Sequence, residues 1–170
     1  MIPQFVCVIP FRGPWDAVEV LLLERTPDRF CKAGFWQNVT GTHAFEDWTP
    51  STALRETAEE TGIEPVELFA VDYIHRIWLP RQDRIIWAPT FAARLPEDAQ
   101  VVLSSEHVAY KWLPVADARA AMPRRSQRAA LDAFVQDLVV DLREDEFRLW
   151  SSEKGWGFFS PPVDGFERGL

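Results

Sequence analysis

Arg55, Glu56, Glu59 and Glu60 crowd three carboxylates and a guanidinium into one short run of this chain. In a helix, successive residues rotate by about 100°. Glu56 and Glu60 then stack on one face, and Glu59 stands on the same broad side. Ala53, Leu54, Thr57, Ala58 and Thr61 fall opposite, where they can face a core. Arg55 lies one turn before Glu59, within reach to hold that carboxylate. Like charges packed together repel, and a divalent cation removes the repulsion. An all-oxygen donor set suits Mg²⁺, with Mn²⁺ as the alternative, and both ions also accept phosphate oxygens. A cation there can neutralise phosphate and lower the pKa of a bound water. The short run Arg-Glu-x-x-Glu-Glu equally fits a solvated helix face laced with charge pairs. A longer pattern is needed to choose between the two.

The elements around this run are legible. Thr49 suits an N-cap, Pro50 the first helical position and Gly62 the residue just past the C-terminus, so a helix is predicted over 50–61. Pro3 to Phe11 and Ala17 to Leu23 read as strands, and Phe35 to Gly41 as a short apolar piece ending at a turn glycine. Val71 to Leu79 and Arg84 to Leu95 flank Pro80-Arg81-Gln82-Asp83 and predict a hairpin. Val108 to Leu113 is a further strand, and Pro114 to Ala121 a helical turn. Ser126 to Val140 carries Leu131, Phe134, Val135 and Leu138 at helical spacing. The mixture predicts an α/β sandwich with a mixed sheet. From Asp141 the composition turns acidic and then aromatic, with Trp150, Trp156, Phe158 and Phe159. This divides the chain into a domain over 1–140 and an extension over 141–170, packed on the domain or on a partner subunit and holding one irregular strand.

Composition narrows the function classes. The 170 residues, 47% of them hydrophobic, are enough for one domain with a real core. A net charge of −8 argues against a nucleic acid polymer as partner. It leaves room for a small anionic ligand bridged through a cation. Cys7 and Cys31 have no metal-ligand spacing, and Cys7 sits in an apolar run. Few cysteines, no signal peptide and no apolar span predict a cytoplasmic protein with no membrane segment.

The full spacing decides the reading of the glutamates. It runs Gly41, five residues, Asp47, seven residues, then Arg55-Glu56-x-x-Glu59-Glu60-x-Gly62-Ile63. This resembles the Nudix box, with Asp47 in place of its first Glu and Thr57 at an apolar slot. The resemblance implies a Nudix-type α/β/α sandwich with a loop–helix–loop motif that cleaves nucleoside diphosphates linked to another group. It makes Glu56 and Glu60 metal ligands, and Glu59 a further ligand or a base oriented by Arg55.

Two more segments, Phe35 to Gly41 and Glu106 to Leu113, look like the dihydroneopterin triphosphate pyrophosphatase branch, which also accepts dNTPs such as dATP. By that likeness Glu106 completes the metal site or takes the proton of the attacking water, and Arg25 contacts substrate phosphate. Thr40 offers its hydroxyl to the triphosphate, and Trp36 offers a ring to a base or pterin. The chain departs from the branch where a basic residue is expected near the start of the first strand. It departs again over the shorter segment Ile74 to Ile86. It departs a third time where a serine is expected before the last helix, at Arg124-Arg125. The arginines Arg124, Arg125 and Arg128 form a local basic cluster.

The expected function is a Mg²⁺-dependent hydrolase, acting as monomer or homodimer. It would cleave a small nucleoside or pterin triphosphate to monophosphate and diphosphate. The alternatives are a hydrolase of dinucleoside polyphosphates or damaged nucleotides, and a catalytically silent nucleotide-binding module.

Overall fold

The computed structural model describes residues 3–28, 32–44 and 47–157. Cys31, Phe158 and Phe159, singled out above, lie outside these residues. Along the chain come β1 (Phe5–Arg12), β2 (Glu19–Arg25), β3 (Trp36–Gln37), β4 (Val39–Thr42), α1 (Thr49–Thr61), β5 (Glu67–Leu79), β6 (Arg84–Arg94), β7 (His107–Pro114), α2 (Val115–Ala121) and α3 (Arg125–Phe134). Then follow α4 (Glu144–Phe147), β8 (Arg148–Ser151) and β9 (Gly155–Trp156). The sheet is mixed. β1 runs parallel to β6 and antiparallel to β2 and β4, which share one edge of it. β5 and β6 form the expected hairpin, and β7 pairs with β2.

Alternating residues of the same strands feed two cores, one on each sheet face. Val6, Val8, Leu21, Leu23, Leu68, Phe91 and Ala93 pack with Ala53 of α1 and with Ile63. Ile9, Phe11, Val20, Leu22, Phe69, Val71 and Ala92 pack with Ala118 of α2 and with Leu131 and Phe134 of α3. A sheet covered on both faces must be apolar on both, which is why β1 and β2 read as continuous hydrophobic runs. The result is an α/β/α sandwich. Among the described residues no helix is long and apolar enough to cross a membrane.

Three local expectations change. The N-cap of α1 is Trp48, with no side-chain cap bond, and Thr49 is already helical. The Trp48 ring meets Trp156 edge-on at 4.3 Å, so this position covers the helix start instead of capping it. The last long helix is not uniform: α3 ends at Phe134 and a π-helical stretch, Val135–Val140, continues it. There Asp137 accepts a hydrogen bond from the Asp72 backbone N–H at 3.0 Å, where the β5–β6 register slips. The buried carboxylate thus satisfies an amide at the slip. Beyond Asp141 the chain adds a short helix and two strands, not one. β8 joins the sheet beside β5, and β9 folds back on β8.

Candidate active site

α1 carries the box glutamates in three different environments, not on one shared open face. Glu59 is exposed and accepts from Arg55 Nη1 at 3.0 Å. Glu56 is half-buried and pairs with Arg55 Nη2 at 2.9 Å. Glu60 is 5% exposed, on the same inner side as Ala53 and Thr57. Thr57 fits that side because its hydroxyl donates to the Ala53 carbonyl at 2.8 Å, and no polar atom is left over. Gly62 closes the helix at φ +70°, its N–H bonded to Ala58 O at 2.8 Å.

Gly41 of β4 explains how Glu56 lies so close to the sheet. A Cβ there would stand 2.0 Å from both Glu56 Cγ and Cδ, so only glycine leaves room for the carboxylate. Glu106 arrives from a distant loop held at both ends. Val102 N–H donates to Thr61 O at 2.8 Å, and Thr26 N–H donates to Glu106 O at 2.8 Å. The loop is thereby fastened between the end of α1 and the end of β2. Asp47 lies two residues before α1, its N–H donating to Ala44 O at 3.1 Å.

Burial pushes the Glu60 carboxyl up to about 8, and the charges of Glu106 and Glu56 add to the rise. The Thr40 backbone N–H and the charge of Arg25 oppose it. Burial likewise raises Glu56, with a contribution from Glu59 and Glu106. His107 approaches Glu60 Oε2 at 3.7 Å through Nε2, but burial holds the imidazole below its ordinary range. With one group raised and the other lowered, both are neutral near pH 7, so this contact is not an ion pair. Glu60 Oε2 has no hydrogen-bond partner.

Among the described residues no three His, Cys, Asp or Glu side chains stand as a finished cation cage. The charge of Glu106 nevertheless raises both Glu56 and Glu60, and Glu56 raises Glu60 further. One buried oxygen is unsatisfied, and all the donors are oxygens. These residues fit a hard divalent cation.

A cavity of about 310 Å³ opens beside them. Arg25 and Thr40 line it together with Arg124, Ser126 and Gln127 from the start of α3. Ser126, within α3 just after Arg124-Arg125, also lines the cavity. Phe5, Val6 and Cys7 of β1 line it as well. Cys7 is a buried thiol pushed up to about 12 by desolvation, so it is inert. Trp36 does not line the cavity. It packs on the core beside α2 and α3, with Lys111 Nζ 4.3 Å from its ring centroid.

The inner face of the β5–β6 hairpin supplies His75, Ile77, Leu79, Ile86 and Ala88 to the cavity. These residues, Gln127 and His107 carried no role in the sequence reading. Strict alternation through His75, Ile77 and Leu79 is the signal that marks the inward face.

His75 links the cavity to pH. Desolvation lowers its pKa from 6.5 to about 4. The unfolded chain therefore binds the proton first, and His75 withdraws stability as pH falls from 6.5 through 4. In urea titrations, the difference between wild type and His75→Phe should change by up to about 1.4 kcal/mol per pH unit in that window. A difference flat from pH 7 to 4 would contradict the buried neutral imidazole.

The fold and this site match known proteins. A NUDIX domain profile matches residues 3–134. The chain is 33% identical over 135 residues to the dihydroneopterin triphosphate diphosphatase of Escherichia coli strain K12, covering 71% of this chain and 85% of that protein. It is 35% identical over 125 residues to an octanoyltransferase of Myxococcus xanthus, covering 72% of this chain but spanning only 33% of that protein's length. The structure of the E. coli dihydroneopterin triphosphate pyrophosphohydrolase superposes with a TM-score of 0.65 at 26% identity, over 81% of this chain and 99% of that one. The chain belongs to the NUDIX family of pyrophosphohydrolases.

Proposed function

We propose that this protein hydrolyses a nucleoside or pterin triphosphate, of the dATP or dihydroneopterin triphosphate kind, to monophosphate and diphosphate with Mg²⁺ or Mn²⁺. The observation that carries this reading is the buried Glu60, its carboxyl raised and one oxygen unpartnered, beside a cavity bearing Arg25, Thr40 and Arg124. Glu56, Glu60 and Glu106 would hold the cation, with Glu59 as an outer ligand. When bound, the cation neutralises phosphate oxygens and acidifies a coordinated water.

The chain's own groups do the rest. Arg25 and the Thr40 hydroxyl bind phosphate oxygens and keep the chain of phosphates in line with the carboxylates. Arg25 also meets the charge that builds on those oxygens as the anhydride breaks. Glu59 or Glu106 takes the proton of the attacking water. Both are exposed, and Arg55 fixes the direction in which Glu59 points.

The cavity lies at the small end of ligand pockets. That favours one nucleoside-sized head group over the two of a dinucleoside polyphosphate. Residues 1–140 would form the catalytic domain of a cytoplasmic protein, monomeric or homodimeric. Residues 141–170 would form its extension, supported by the pairing of β8 with β5.

A panel of triphosphates incubated with Mg²⁺ or Mn²⁺, with products separated by ion-exchange chromatography, tests the reading. Diphosphate and a monophosphate are expected. Tight nucleotide binding without any turnover would instead identify a silent binding module.

A further inference from the structure

Arg25 and Thr40 tie one side of the cavity to Glu60. Much of the remaining lining is apolar, built by Phe5, Ile77, Leu79, Ile86 and Ala88. Several polar side chains also line it, among them Gln37, Ser126, His75 at 4% exposure and Gln127 at 5%. His75 Nε2 and Gln127 Oε1 are both buried without a hydrogen-bond partner. They come from different elements, β5 and α3, yet line the same cavity. An unpaired buried polar atom is costly to keep, and native proteins leave few of them unsatisfied. Two in one ligand-sized space mark places that a bound molecule completes.

We propose that His75 and Gln127 read the hydrogen-bonding edge of a flat heteroaromatic head group, a nucleobase or pterin ring carrying an N–H donor. This rests on the hydrolase reading above and names the substrate class of that site. Gln127 Oε1 accepts from a ring amide or exocyclic amino group. His75 Nε2 completes a second polar atom of the same ring. The neutral state of the buried imidazole leaves it able to donate or accept, according to tautomer. Ile77, Leu79 and Ile86 cover the ring faces. An alkyl diphosphate would fill the apolar wall but leave both polar atoms orphaned, and the site discriminates against it for that reason.

Specificity constants for dATP, a pterin triphosphate and the deoxynucleoside triphosphate of unsubstituted purine, which lacks an N–H donor, test the assignment. Wild type should prefer the better donor-bearing ring over unsubstituted purine by about tenfold or more in kcat/KM, the value of one well-placed hydrogen bond. Which of dATP and the pterin leads identifies the ring. Gln127→Leu should bring the preference to within about twofold and raise the melting temperature of the ligand-free protein, because the orphaned oxygen is gone. His75→Phe should narrow the preference as well, and it serves in place of Gln127→Leu if that variant does not fold.

A wild-type preference that persists in both variants, or no preference in wild type, overturns the assignment. If wild type cleaves none of the three, the hydrolase reading fails. Calorimetric binding of the same nucleotides to the same variants then decides the ring-reading role separately.

Discussion

Glu60→Gln should lower turnover by on the order of 10³-fold, the scale on which single charge-stabilising groups act, while leaving the fold intact. The physical case for intactness is specific. Burial pushes the Glu60 carboxyl up to about 8, so near pH 7 without a cation it is already neutral. Glutamine is close in shape and charge to that neutral acid.

The same shift fixes a stability signature. The folded pKa is raised above the unfolded value of 4.5. The native state therefore holds the proton over a pH range in which the unfolded state has lost it. The metal-free protein is favoured below about pH 4.5 by this group. It loses that contribution as pH rises through about 8, at up to about 1.4 kcal/mol per pH unit. Glu60→Gln should remove this slope, and a divalent cation should offset it in wild type. Urea unfolding with EDTA at pH 6 and pH 8, set beside steady-state turnover with Mg²⁺, reads both effects. Near-normal turnover in the variant would show that Glu60 does not serve the reaction.

Gly41→Ala should be nearly as damaging to activity, and for a steric reason. The added Cβ would fall 2.0 Å from Glu56 Cγ and Cδ and 2.5 Å from Oε2. What it strikes is a side chain and not backbone, and Gly41 is not among the glycines at positive φ. The strand therefore survives and Glu56 swings away. A stability loss of about 1–3 kcal/mol is expected from the overpacking. Mn²⁺ affinity should drop at least about tenfold, with turnover falling alongside it. Wild-type Mn²⁺ affinity in a folded Gly41→Ala variant would mean that Glu56 is not held against β4 in the working enzyme.

How much of this could be read from residues alone depended on the range of the interactions involved. The box was legible because Gly41 to Ile63 is local: helix rotation and a left-handed glycine stop act within a few residues. Pairing of Arg55 with Glu59 follows from the same rotation. Burial of Glu60 did not follow, because it depends on β4, on the Glu106 loop and on His107, all brought in by tertiary packing. The cavity wall was hidden for a related reason. His75 and Gln127 are far apart in sequence and meet only through the β5–β6 hairpin and the start of α3. Trp36 shows the opposite limit. Its type and position suit ring stacking, yet Lys111 and the neighbouring core occupy it. The β8 strand was obscured by its charged and aromatic composition, and its place at the sheet edge comes from pairing with β5.

The divalent cation proposed at the glutamates of α1, with Glu60 at their centre, would bind at a protonated carboxyl. Calorimetric titration of Mn²⁺ into the metal-free protein at pH 7, in two buffers of different ionisation enthalpy, measures this directly. Cation binding to a group with a pKa near 8 must displace its proton. The expected result is saturable binding with release of close to one proton in wild type, and neither at comparable affinity in Glu60→Gln. Binding without proton release, or equal binding by the variant, would contradict the account.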